Sequence, residues 1–225
     1  MQPLTPVQLR ILGCLIEKER TTPDNYPLTM NALLSACNQT TNRYPVVTFT
    51  EATASNAVLN LRSEGLLRID YSRSNRGDKH RHVLDQVLDV DGAEISLLAV
   101  LMLRGPQTSA ELRTRTERLY GFADQSDAEA VLARLAARPE PLVIRLSPAP
   151  GQKEARWAHL LAGDVAPDEL AATAAALADP SRSPSRTERI EALEEEVADL
   201  TAQLERLRAD HDALAAIVLG TPFAP

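Results

Sequence analysis

Four cations, Arg73, Arg76, Lys79 and Arg81, lie within a nine-residue stretch, with His80 and His82 beside them and only Asp78 opposing. Lysine and arginine at that density neutralise phosphates, and every neutralised phosphate steepens the salt dependence of binding. Upstream, Asn60 and Arg62 are the side-chain types that pair bidentately with adenine and guanine edges. The two histidines stand two residues apart, as on one face of a strand. A metal pair there needs a third ligand that no nearby spacing supplies, so contact from a hairpin or plain exposure is the expectation.

Other chemistries find little support. The sequence has no Gly-rich phosphate loop, dinucleotide fingerprint, paired-histidine zinc helix or nucleophile-elbow motif. No catalytic, cofactor-binding or metal-binding set is therefore expected, and the protein reads as non-enzymatic. Cys14 sits on an apolar helix face and Cys37 closes a helix, so both read as packed thiols. Trp157 is expected under a hairpin or between modules. Aromatics make up 4% of the 225 residues, which counts against single-strand recognition by base stacking. No apolar run of about 18 residues appears, and Met1 to Pro6 lacks the pattern of a secretory leader. Two cysteines cannot form a disulfide scaffold, so the expected setting is cytoplasmic.

The elements that must position these residues are marked by their starts. A Ser, Thr or Asp followed three residues later by Glu or Gln signals a helix N-terminus. The pattern occurs at Thr5/Gln8, Thr48/Glu51, Asp91/Glu94, Thr108/Glu111, Ser126/Glu129 and Ser185/Glu188. Apolar spacing then predicts helices over about 5–20, 28–38 and 49–64, with Gly65 stopping the third. Strands follow at 66–71 and 81–88 around a turn. The order repeats, with helices over about 91–103, 108–119 and 126–137 and strands at 142–146 and 155–161. Three helices and a two-stranded hairpin, twice, define a mainly α fold with small β hairpins: two tandem winged-helix domains, 1–90 and 91–163. A purely helical fold is the alternative, against which the two strand–turn–strand ends argue.

A linker with room for a short helix is expected over 164–185, and a coiled-coil helix over 186–219. Its seam is Ile190, Leu193, Val197, Leu200, Leu204, Leu207, His211, Leu214 and Val218, spaced alternately three and four apart. Mostly β-branched a positions with Leu at d favour a parallel two-stranded coil. His211 reads as a polar residue setting register. The alternative is one amphipathic helix folded back on its own chain. The net charge of −7 belongs to this end. The balance is +1 over 1–90, −1 over 91–165 and −7 over 166–225, so overall acidity does not argue against nucleic-acid binding by the front.

Residues 11–45 are similar to the YceH-like family of bacterial proteins. The similarity is carried by Leu12-Gly13-Cys14-Leu15-Ile16-Glu17-Lys18, by Thr21 to Leu28 and by Ala36 to Arg43. Leu103 to Thr108, Glu111-Leu112-Arg113, Pro150-Gly151, Trp157 and His159 extend it over roughly 4–162. Thr40 departs from the family pattern, which commonly has a basic residue there, and this lessens the loop's own pull on phosphate. The resemblance implies tandem winged helices and no established activity.

The expectation is a dimeric, DNA-binding, transcription-regulator-like protein. The first module would touch duplex DNA through Asn60, Arg62, Arg73, Arg76, Lys79 and Arg81. The second is less suited, because its third helix begins with Asp124, Asp127 and Glu129. The alternative is a protein–protein adaptor whose winged helices bind protein rather than DNA.

Overall fold

The computed structural model describes residues 2–71, 77–148 and 154–163, with Thr201, Leu204, Glu205, Arg208 and His211 of a C-terminal helix. The chain divides into two compact units, Met1–Ala178 and Asp179–Pro225. It is mainly helical, with two small antiparallel sheets.

Helix α1 (Pro6–Thr21) begins in the expected capping box. The Thr5 hydroxyl accepts from the Gln8 amide, and Gln8 Oε1 accepts from the Thr5 amide, so two orphan donors at the helix start are satisfied. Its Ile11, Leu12, Leu15 and Ile16 are wholly buried. The second helix starts later than the apolar spacing suggests. Leu28–Thr29 form a short strand, β1, and Thr29 caps α2 (Met30–Cys37) by accepting from the Ala32 amide. Helix α3 (Glu51–Ser63) is capped by Thr50 rather than Thr48. Phe49 cannot join it, because its backbone N–H and C=O both bond the Asn38 side chain.

After Gly65, whose φ of +75° suits a residue without Cβ, the chain forms β2 (Leu67–Asp70) and β3 (Lys79–His82). The strand order is β1–β3–β2, all antiparallel, with Arg68 opposite Arg81 and Asp70 opposite Lys79. The strand expected to run from Arg81 to Leu88 ends at His82, and Leu84–Leu88 form a short helix, α4. Val83 gives its N–H to Leu66 and its carbonyl to Val87, which turns the chain out of the sheet.

The second half starts with α5 (Gly92–Arg104) and α6 (Ser109–Thr116), both opened by the expected capping boxes. Helix α7 (Gln125–Ala136) is instead capped by Asp124, which accepts from the Asp127 amide. The Ser126/Glu129 box does not form because Glu129 accepts from Ser109 and Gln125. Strands β4 (Val143–Leu146) and β5 (Arg156–His159) pair antiparallel. Gln107 adds a bridge by exchanging both backbone bonds with Trp157, at 3.0 and 2.7 Å.

One hydrophobic core runs through both halves and joins α1 to α5. Gly13 makes the approach of these helices possible, since a Cβ there would stand 2.9 Å from Leu103 Cγ. Charged groups are also enclosed. Arg43 binds the Glu17 carboxylate with two nitrogens, at 3.1 and 2.5 Å, and also the Ala36 carbonyl. Arg10 donates to the carbonyls of Cys37 and Pro45. Together they tether the connection between α2 and α3. Cys14 and Cys37 are both buried, and the hydrogen bond with Cys14 together with burial holds the Cys37 thiol far above its ordinary range. Both cysteines are thus packed thiols, as their helix positions imply.

Candidate nucleic-acid interface

Helix α3 buries Ala54, Ala57, Val58 and Leu61. That turns the rest of its circumference toward solvent, where Asn60 and Arg62 are both exposed on opposite flanks of the helix. The Asn60 carbonyl accepts from Ser63 Oγ and the Glu64 amide, which closes the helix end beneath its side chain. The Arg62 guanidinium lies 5.6 Å from the ring centroid of Tyr71, a cation–π distance. Tyr71 is 61% exposed. Glu51, in the first turn of α3, suits the helix dipole but repels phosphate.

The neighbouring hairpin sorts its side chains by strand alternation. Leu67, His80 and His82 turn inward, and Arg68, Asp70, Lys79 and Arg81 turn outward. The outward face thus holds three cations and one carboxylate. Arg81 is bound to Asp70 through Nη2 at 2.5 Å and Nε at 3.1 Å, so one predicted contact residue is shared with an acid of its own sheet. Lys79 is exposed. Arg73 and Arg76 lie outside the described residues. Arg68 belongs to the same face and was missed. Its signal was the alternation of β2, which puts it beside Asp70 and opposite Arg81.

The two histidines are not exposed, contrary to expectation. His80 and His82 retain 4% and 5% of their surface because position parity aims them at the core. His82 Nε2 lies 2.9 Å from Glu19 Oε2, and the His82 amide donates to Tyr26 Oη. The hydrogen bond with His82 lowers the Glu19 carboxyl below its usual range. Burial, followed by the nearby Glu19 charge, raises the Tyr26 phenol. Burial lowers the His80 imidazole despite the opposing pull of Asp78 and Asp70. Among the described residues no cluster of three or more His, Cys, Asp or Glu could hold a metal ion.

The corresponding surface of the second half differs in charge. A cavity of about 710 Å³ separates α7 from the β4–β5 hairpin, and Gln125, Glu129, Arg145, Glu154 and Trp157 line it. Hydrogen bonds from Ser109 and Gln125 hold the Glu129 carboxyl below its usual range, so it stays anionic. Arg156 faces inward, with Nη1 2.7 Å from Glu111 Oε2 and 3.0 Å from the Pro106 carbonyl. Trp157 is buried, as expected. Of the heptad seam, Leu204 and His211 are helical and exposed. Ile190, Leu193, Val197, Leu200, Leu207, Leu214 and Val218 lie outside the described residues.

The class these features define is a mainly helical protein with two small antiparallel sheets and, among the described residues, no helix long and apolar enough to cross a membrane. The chain belongs to the family described as "Protein of unknown function, DUF480", which matches residues 4–152. A UPF0502 protein of Burkholderia pseudomallei strain 668 is 47% identical over 212 residues, 93% of this chain and 86% of the relative. Another, of Cupriavidus pinatubonensis strain JMP 134, is 46% identical over 209 residues, 93% and 87% of the two chains.

Proposed function

We propose that this is a cytoplasmic, non-enzymatic tandem winged-helix protein of transcription-regulator character, contacting duplex DNA through α3 and the β2–β3 hairpin. The observation that carries the reading is the outward row of cations on the β2–β3 hairpin, Arg68, Lys79 and Arg81, with the exposed Arg62 of α3 against Tyr71 at the end of β2 and Asn60 exposed on the same helix. A helix presented to a groove beside a hairpin presented to phosphate is the division of labour of winged-helix readers. The β1–β3–β2 order supports it, since the first strand returns to brace the hairpin. The heptad seam supports a parallel coil that pairs two protomers and hence two half-sites.

The test is a gel shift with mixed-sequence duplex DNA at low and moderate salt. Changing Arg73, Arg76, Lys79 and Arg81 together to Ala should weaken binding and flatten the plot of log affinity against log salt by roughly one unit per lost phosphate contact. An unchanged affinity and slope would falsify the interface. A protein–protein adaptor is the second reading. It is favoured by Leu59, 54% exposed in the middle of the α3 face, and by the carboxylates around α7. It predicts no duplex binding at any salt concentration.

A further inference from the structure

A second cavity, of about 150 Å³, lies where the α2–α3 connection meets α5, α6 and β5, and its wall includes Arg104, Arg115, Arg156, Asn42, Tyr44 and Gln107. Its charge does not balance. Glu111 is the carboxylate of the wall, and it already serves two guanidiniums, Arg156 at 2.7 Å and Arg115 at 3.4 Å. It also accepts from the Thr108 amide through its capping box. Arg43, at the cavity's edge, is matched by Glu17. Arg104 donates to a neutral oxygen, Asn42 Oδ1. Three guanidiniums against one carboxylate leave two positive charges.

We infer that this cavity binds a phosphoryl dianion. A phosphate group carries about −1.5 to −2 charges near pH 7, which matches the excess, whereas a single carboxylate leaves half of it uncompensated. Guanidiniums suit the ligand because their planar forks bond two oxygens at once. A volume of about 150 Å³ admits inorganic phosphate or the phosphoryl end of an ester. The Gln107 amide nitrogen bonds the carbonyls of Arg104 and Pro106, which fixes the turn that presents Arg104. Burial first, and then the neighbouring Arg115, hold the Arg104 guanidinium below its usual range, so an arriving anion relieves a repulsion already present. The cations come from α5, α6 and β5, and the loop at Thr40 need supply none. The inference is independent of DNA contact by α3.

The test is calorimetric titration of the full chain, without DNA and in chloride buffer near pH 7.5. The probes are inorganic phosphate, glycerol 3-phosphate and succinate. One saturable site for phosphate or its ester, at least tenfold tighter than for succinate, is expected. Tighter binding of the ester assigns the site to a phosphorylated metabolite, and tighter binding of phosphate assigns it to the free ion. Arg104→Gln and Arg115→Gln should each weaken binding about 10- to 100-fold, the range for loss of a charged hydrogen bond. Arg104→Lys, which keeps the charge and the fold but not the fork, should weaken it less. Arg113→Gln, an exposed control away from the cavity, should leave it unchanged. No saturable binding, equal succinate affinity, or indifference to both Arg104 variants would overturn the proposal.

Discussion

The two halves of the chain share an order of elements and dispose of their charges differently. In the first half, the hairpin turns Arg68, Lys79 and Arg81 outward and its histidines inward. In the second, the hairpin turns Arg156 inward onto Glu111 and leaves Arg145 exposed in the cavity that Glu129 also lines, while carboxylates at Asp124, Asp127 and Glu129 occupy the start of α7. Each half also encloses a guanidinium–carboxylate pair, Arg43–Glu17 in the first and Arg156–Glu111 in the second. The parity of a strand position decides whether a cation braces the interior or faces solvent. Similar topology therefore does not imply similar binding surfaces.

The largest expected effect separates the two enclosed pairs. The Arg43 and Glu17 side chains keep 0% and 16% of their surface, whereas Arg156 and Glu111 keep 9% and 31%. Glu17→Ala strands a buried cation and should cost about 3–5 kcal/mol. Glu111→Ala, with water able to reach the gap, should cost less. Urea denaturation of both variants ranks them, and the reverse order would break the comparison.

A pH effect comes next. Burial holds the His159 imidazole down to about 4, and His159 Nδ1 has no hydrogen-bond partner. The unfolded imidazole titrates near 6.5. Because the folded value is the lower one, the unfolded chain takes up the proton first. Stability from this group is present above about pH 6.5 and is lost as pH falls toward 4. The loss should reach about 2–3 kcal/mol, and His159→Leu should flatten melting temperature against pH over that window. His80 is shifted in the same direction, but Asp78 and Asp70 oppose its shift. His80→Leu should therefore flatten the curve less.

The packing of the halves against each other gives the third test. Gly13→Val brings a Cβ against Leu103 and further carbons beyond it. The overpacking should cost about 1–3 kcal/mol. Because one core joins α1 to α5, unfolding should remain a single transition at lower denaturant. Two separated transitions would show halves that fold on their own.

Much of this arrangement was legible in local chemistry. Three capping boxes, Thr5/Gln8, Asp91/Glu94 and Thr108/Glu111, mark real helix starts because both partners lie within one turn and need no tertiary help. The other two described boxes lost to competing partners outside the box. The Asn38 side chain holds Phe49 out of α3, and Ser109 and Gln125 hold Glu129. The end of β3 was hidden for the same reason, since it depends on how far the short β1 and β2 reach. At the candidate interface, exposure of Asn60 and Arg62 followed from the helical period of α3, and that of Lys79 and Arg81 from their place at a basic turn. Burial of the histidines did not, because a basic turn reads as solvated until the core behind it is known. The Arg104–Arg115–Arg156 cluster left no sequence signal, as its members come from three separate elements.

The smallest effect bears most directly on the first hairpin. Arg81 and Asp70 each keep nearly half of their side-chain surface, and an exposed pair of this kind contributes about 0–1 kcal/mol. Asp70→Asn should leave the melting temperature almost unchanged. It removes the one carboxylate from the outward face, and it frees Arg81 from a partner that competes with phosphate. If that face meets DNA, affinity at low salt should rise a few-fold, and the salt slope should steepen by up to roughly one unit. If the face meets protein or water instead, Asp70→Asn should change neither. A gel shift with this variant thus separates a cation held in reserve for a duplex from one whose role is complete in binding its neighbouring strand.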